Sequence, residues 1–223
     1  PVPYYSFDQK KKEWIPHYEG ELFPPNIPVT SYQKYNLQEE RPDVIYVHNP
    51  YDDSNYVTSV HPSFYSAELK KYTKKLIYVP YYVTTGEISP EHTILPVYFH
   101  MDYAIVQGER FKRGFKGLPY EDKIIPLGSP KLDRIIRMCK SGEVKMPKEW
   151  EKIVKGRRTL MLNTSISCLL DEGSIMLDKL MWLFKKIKQY PGLALIWRPH
   201  PLLRSTIESM RPQLLMQYEE LIA

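Results

Sequence analysis

Two short stretches of this sequence carry the residue types that handle phosphate. Asn163-Thr164-Ser165-Ile166-Ser167 ends the apolar run that starts at Thr159, and Arg198-Pro199-His200-Pro201 ends the run Leu193 to Trp197. A hydroxyl-rich turn entering a helix offers backbone N–H and side-chain O–H groups to an anion. An arginine and a histidine leaving the next strand add a fixed charge and a titratable donor. Thr164, Ser165, Arg198 and His200 together therefore suit a phosphorylated ligand. The same residues also suit plain structural work, in which the hydroxyls cap and turn the chain and the prolines fix a loop. Spacing alone leaves both open.

Weaker signals lie upstream. Arg110, Lys112, Arg113 and Lys116 cluster within seven residues. They could face an anionic acceptor or a lipid headgroup, or simply form a solvated helix face. Lys70, Lys71, Lys74 and Lys75 read as a solvent face, and Asp52-Asp53 as a turn or cap more readily than a cation site. The six histidines show no metal-ligand spacing. No glycine-rich dinucleotide fingerprint, P-loop or nucleophile elbow is present. The eighteen tyrosines include candidates for stacking on sugar rings, though most belong to packing.

Such residues need strands and helices to place them. Asp43 to His48 is a β-rich apolar run closed by Asn49-Pro50, and Leu76 to Val83 is a second, ended by Thr84-Thr85-Gly86. Asp102 to Gln107 and Lys123 to Leu127 complete four strands. Helical patterns fall between them at 63–75, 90–101 and from Glu109, with one more at 131–139. Strands alternating with helices predict a parallel, doubly wound sheet with helices on both faces. In such sheets ligands gather beyond the C-terminal strand ends. Here those ends carry His48, Asn49 and Tyr51, then Tyr81, Tyr82 and Thr84, then Gln107 and Glu109. Residues 1–42, rich in proline and tyrosine, read as an irregular arm. Residues 43–139 read as a Rossmann-like domain, 140–157 as a linker, and 158–223 as the start of a second such domain. That last stretch contains a strand at 159–163, an amphipathic helix at 171–189, a strand at 193–197 and further helix to 222.

Composition narrows the class. The chain has 223 residues, 43% hydrophobic and 26% charged, a globular balance that argues against wholesale disorder. No apolar run approaches the roughly 18 residues of a membrane span. Two cysteines, Cys139 and Cys168, exclude a disulfide scaffold and fit reduced thiols in the cytoplasm. The net charge of +5 permits an anionic ligand or surface without demanding one. No nucleic-acid-binding motif accompanies it. The chain opens at Pro1 and closes inside a helical pattern, as expected of a piece of a longer protein.

The order of three elements adds a resemblance. Leu127-Gly128-Ser129-Pro130-Lys131-Leu132-Asp133, a new strand after a linker, and Ile196-Trp197-Arg198-Pro199-His200-Pro201-Leu202 resemble the CDP-glycerol glycerophosphotransferase family, the teichoic-acid polymerase type of the GT-B fold. Gly128, Pro130 and Asp133 match the family's G-x-P-x-x-D element, and His200-Pro201 its donor-side His-Pro. The resemblance implies a transferase working without cofactor or metal. It would move a glycerophosphate or sugar group from a nucleotide-activated donor, CDP-glycerol being the family's, to a polysaccharide or lipid-linked acceptor. It implies a cytoplasmic protein that meets the inner face of the membrane where the acceptor is lipid-linked. It places His200 at the donor phosphates, where Thr164, Ser165 and Arg198 would join it on the reading above, and Arg110, Lys112 and Arg113 would then face the acceptor or another anionic surface. The family's early His-Gly-Thr-Pro element is missing, since the comparable strand ends Tyr78-Val79-Pro80-Tyr81-Tyr82-Val83. His48 and Glu87 are then the remaining candidates for the general base. Loss of that histidine equally fits a non-catalytic protein that kept the fold to sense a nucleotide or dock a partner.

Overall fold

A computed structural model describes residues 2–8, 11–55, 59–84 and 86–222. The chain forms two units, one of Pro1–Phe7 and Glu13–Glu143, the other of Asp8–Lys12 and Val144–Ala223. The break falls inside the stretch read as a linker.

The N-terminal strands are β1 (Tyr4–Asp8), β2 (Glu13–His17), β3 (Val44–Val47) and β4 (Ser59–Val60). The expected irregular arm therefore holds regular structure. A small sheet runs in the order β2-β1-β4, with Tyr4 opposite Val60 and Tyr5 opposite Ser59 in antiparallel register. Its strands are held by polar-aromatic pairs rather than an apolar stripe, which is why hydropathy hides them. The Tyr4 ring stacks on His17 at 4.8 Å, and Ser6 Oγ lies 2.7 Å from His17 Nε2. The prolines at 24, 25 and 28 keep the following stretch to turns until α1 (Leu37–Glu40), which Asn36 caps by accepting the Gln38 N–H.

The main sheet is parallel. It runs β3, β5 (Lys75–Tyr78), β6 (Tyr103–Ile105) and β7 (Ile124–Ile125), in that order. Strand order follows chain order without a reversal. Crossovers of one hand then all fall on one face, so the sheet is wound singly, not doubly as the alternation of elements suggests. Burial agrees. Leu76, Tyr78, Ala104 and Ile124 are fully buried on one face, whereas Tyr46 is 66% exposed on the other. The covered face packs on α2 (Ser66–Lys70), α4 (Val97–His100) and α5 (Glu109–Lys112), while α3 (Pro90–Thr93) meets the turn at Arg113–Phe115. Pro96 divides the single helix expected over 90–101 into α3 and α4. The core joins Tyr78, Val97, Tyr98, Met101, Phe111 and Phe115, and Tyr98 stacks on Tyr120 at 5.8 Å.

The N-terminal end of this sheet is charged. Asp43 pairs with Lys74 at 2.7 Å, and Asp102 with Lys70 at 2.6 Å while accepting the Leu76 N–H. Lys123 donates to the Met101 carbonyl. The C-terminal end leads through Gly128 into α6 (Pro130–Ser141). Gly128 has φ +114°, a region that L side chains rarely enter.

The second unit begins with α7 (Lys148–Val154), inside the expected linker. It continues with β8 (Arg158–Thr164), α8 (Ile166–Glu172), α9 (Ser174–Ile187), β9 (Leu193–Pro199), α10 (Leu203–Met210) and α11 (Leu215–Ile222). Gly173, with φ +59°, divides α8 from α9. β8 and β9 form a two-stranded parallel ladder. Leu162 and Trp197 on one face meet Leu169, Leu177, Leu180, Ile207 and Tyr218 of the helices. The apolar residues of α9 recur every three or four positions, as this packing requires.

Candidate functional site

The ladder register decides where the second unit's candidates point. β8 and β9 pair in register from Arg158–Leu193 to Asn163–Arg198 and Thr164–Pro199. Side chains alternate between faces. Thr164 therefore shares the face of Leu162 and Trp197, and Trp197 Nε1–H donates to its Oγ1 at 3.1 Å. Arg198 sits one position out of phase, opposite Asn163, and projects from the other face. Thr164 and Arg198 are thus not brought together.

Three candidates do meet at the strand ends. The His200 N–H donates to the Thr164 carbonyl at 3.0 Å. Ser165 caps α8: its Oγ accepts the Cys168 N–H at 3.4 Å, donates to Cys168 Sγ at 3.3 Å and lies 2.8 Å from Ser167 Oγ. His200 Nδ1 accepts the Leu202 N–H at 3.1 Å. With Nδ1 accepting, Nε2 is the ring nitrogen left to donate. Ser165 and His200 are exposed and Thr164 is half-buried.

In the first unit the strand ends collect aromatic rings. His48, one residue past β3, meets Tyr81 edge-on at 6.5 Å. Its outer edge is open to solvent, yet neighbouring atoms crowd the ring, and that partial desolvation lowers its pKa below the usual histidine value. Tyr51 Oη lies 3.3 Å from Tyr81 Oη, and Tyr81 packs edge-on against Tyr82. Burial, and then Tyr81, push the Tyr51 phenol well up. The hydroxyls of Tyr78, Tyr82 and Tyr98 are buried close to one another, and among the described residues none makes a hydrogen bond of ordinary geometry. Burial raises all three phenols, which lie close enough to influence one another.

The other expected residues are spread out. Glu87 is exposed on the loop before α3, and among the described residues no contact joins it to His48. Arg110 and Arg113 are exposed and Lys112 is half-buried. Phe111 and Phe115 enter the core, so their i, i+4 spacing turns the basic side chains outward. Among the described residues no salt bridge involves these three cations. Among the described residues, too, no group of three side chains is disposed to hold a metal, and no helix is long and apolar enough to cross a membrane.

Two positioning devices escape the sequence pattern. Asp52, 6% exposed with φ +45°, accepts the Ser66 N–H at 3.1 Å and the Ser66 O–H at 2.5 Å. It ties the loop carrying Asn49 and Tyr51 to the start of α2. The Gln107 amide accepts the Thr84 N–H at 3.0 Å and donates to the Thr84 carbonyl at 2.5 Å, joining two strand-end loops as a backbone pair would. Asp52 was visible only as half of a turn-forming pair, and a lone glutamine gives no signal.

No protein-family model matches the chain, and neither does any curated protein. Among solved structures it is similar to a chain described as an S. aureus MnaA–UDP co-structure. The two are 12% identical with a TM-score of 0.48, and the match covers 78% of this chain and 45% of that one. The chain spans less than half the length of that structure.

Proposed function

We propose that this chain is part of a transferase that moves a glycerophosphate or sugar group from a nucleotide-activated donor to a hydroxyl of a polysaccharide or lipid-linked acceptor. The observation that supports it is the meeting of Thr164, Ser165 and His200 at the C-terminal ends of two parallel strands, the side of an α/β sheet where ligands bind. Ser165 Oγ–H and His200 Nε2–H donate to the donor's phosphate oxygens.

In the reaction the acceptor oxygen attacks the transferred group, and the bond to the nucleotide phosphate breaks with its electron pair leaving on the phosphate. A general base takes the acceptor proton. His48 suits that task because crowding keeps it neutral near pH 7; Glu87 is the other candidate. Hydrogen bonds from Ser165 and His200 stabilise the charge that grows on the leaving group. Arg110, Lys112 and Arg113, which form no salt bridge among the described residues, offer positive charge to an anionic acceptor.

The test is turnover of CDP-glycerol and common nucleotide sugars with polysaccharide and lipid-linked acceptors. Turnover that is lost in His200→Ala, with folding intact, supports the proposal, and no turnover across the panel refutes it. Nucleotide binding without turnover would select the non-catalytic reading, which the missing histidine in 78–83 favours.

A further inference from the structure

At the N-terminal end of the parallel sheet, away from His48 and Tyr81, the first unit holds a cleft of about 470 Å³. That volume lies within the range of small-molecule sites. α1 and the residues before it form one wall, and the segment from Ser63 through α2 to Tyr72 forms the other. α1 leads into β3 and Tyr72 into β5, and between them Thr73 Oγ1–H donates to the Asp43 carbonyl at 3.1 Å. Both walls are therefore tied to the sheet.

The lining mixes aromatic rings with polar groups. Phe64 and Tyr72 are half-buried, and Tyr32 packs edge-on against Phe64 at 6.3 Å. Tyr35 adds a ring that is 40% exposed. The polar groups keep bonding capacity. Gln38 Nε2–H donates to Tyr72 Oη at 3.2 Å, which leaves the Tyr72 O–H to donate and the Gln38 side-chain carbonyl to accept. Asn36 uses its carbonyl for the Gln38 N–H and keeps its amide N–H groups. Glu68 Oε1 is paired with Lys71, and among the described residues no hydrogen bond occupies its second oxygen. A pyranose ring matches this mixture. Its C–H faces lie on aromatic rings, and its hydroxyls, each both donor and acceptor, need the two kinds of partner side by side. Glu68 and Lys34 give the lining no excess of either charge, which favours a neutral ligand over a phosphate.

We propose that this cleft binds a neutral sugar residue of a saccharide. Tyr35, Phe64 and Tyr72 supply the stacking surface. The Tyr72 O–H and Asn36 Nδ2–H groups donate to the sugar hydroxyls, and the Gln38 carbonyl and Glu68 Oε2 accept from them. The inference stands on the first unit alone and does not depend on the donor site proposed for β8 and β9.

Amide NMR titration of the chain with glucose, galactose, N-acetylglucosamine, cellobiose, lactose and chitobiose, at constant ionic strength, tests it. Saturable shifts at Asn36, Gln38, Ser63 and Tyr72 are expected with at least one of these sugars. Tyr35→Ala removes an exposed ring that makes no hydrogen bond among the described residues, so the fold is expected to persist while affinity falls about tenfold. Tyr72→Phe keeps the ring and removes the hydroxyl, and is expected to bind about threefold to tenfold more weakly. Absence of saturable shifts across the panel, or unchanged affinity in either variant, would overturn the proposal. So would inorganic phosphate moving the same amides at lower concentration than any sugar. His200→Ala is expected to bind the sugar as the wild type does, so failure of the donor site and failure of this cleft are read apart.

Discussion

Replacing Asp52 with alanine is expected to destabilise the first unit by about 3 kcal/mol. The figure follows from the geometry. Ser66 is 2% exposed and directs both its N–H and O–H at the Asp52 carboxylate. Truncation leaves two buried donors unpaired, at about 1–3 kcal/mol each. Alanine at φ +45° adds about 1 kcal/mol. Removing a carboxylate from a buried site offsets part of the sum. Asp52→Asn provides the contrast, because asparagine tolerates positive φ and still accepts a hydrogen bond without a charge. Burial holds the Asp52 pKa above the usual carboxylate value, against the pull of Ser66 and His100. The stabilising contribution is then complete below the unfolded value, about 3.9, and is lost as pH rises through the folded value. Asp52→Asn should therefore gain on the wild type as pH rises from 4 to 7. Urea unfolding followed by amide hydrogen exchange reads this unit separately from the second. A loss below about 0.5 kcal/mol in Asp52→Ala, the range of ordinary surface changes, would refute the reasoning. So would a gap between wild type and Asp52→Asn that does not move with pH.

Leu177→Ala empties a site that is 1% exposed at the centre of the second unit and should cost about 2–5 kcal/mol. Tryptophan fluorescence measures it, since Trp150, Trp182 and Trp197 all lie in that unit. Gly128→Ala has open space around the new methyl but forces a side chain to φ +114°, so a loss of about 1–3 kcal/mol is expected from backbone strain alone, by thermal or urea unfolding. An NMR titration should place the His48 pKa below the ordinary value of about 6.5, and Tyr81→Ala should move it upward by letting water reach the ring. A wild-type value at or above 6.5 would contradict the crowding described for it.

The parallel sheet was legible because Val44–Val47 and Lys75–Tyr78 are β-branched and aromatic runs bounded by turn residues, with helical spacing between. Its winding was not. Tyr46 and Val44 are apolar on the open face, so β3 reads as buried on both sides, and nothing local to a strand records which neighbour it takes. The register of Asn163 with Arg198 is equally invisible: the sequence places Arg198 near Thr164, and the pleat then sends the two to opposite faces. Ser129 shows the same limit for caps. Gly-Ser-Pro predicts the end of a strand and the start of a helix correctly, but nothing in those residues shows that the serine makes no cap bond of its own.

The charged pairs at the start of the strands give the first unit an electrical polarity. Lys70, Lys74, Asp43, Asp102 and Lys123 all stand at the end of the sheet away from His48, Tyr81 and Ser129. Added salt screens exposed pairs such as Lys74–Asp43, 82% and 76% exposed, and so should loosen that end first. The opposite rim is held by tyrosine rings, by the Gln107–Thr84 amide pair and by the buried Asp52–Ser66 contact, which ions in solution barely reach. Ionic strength then becomes a tool. It can loosen one end of the sheet while the geometry of the other end persists, so the two ends can be told apart in a single molecule.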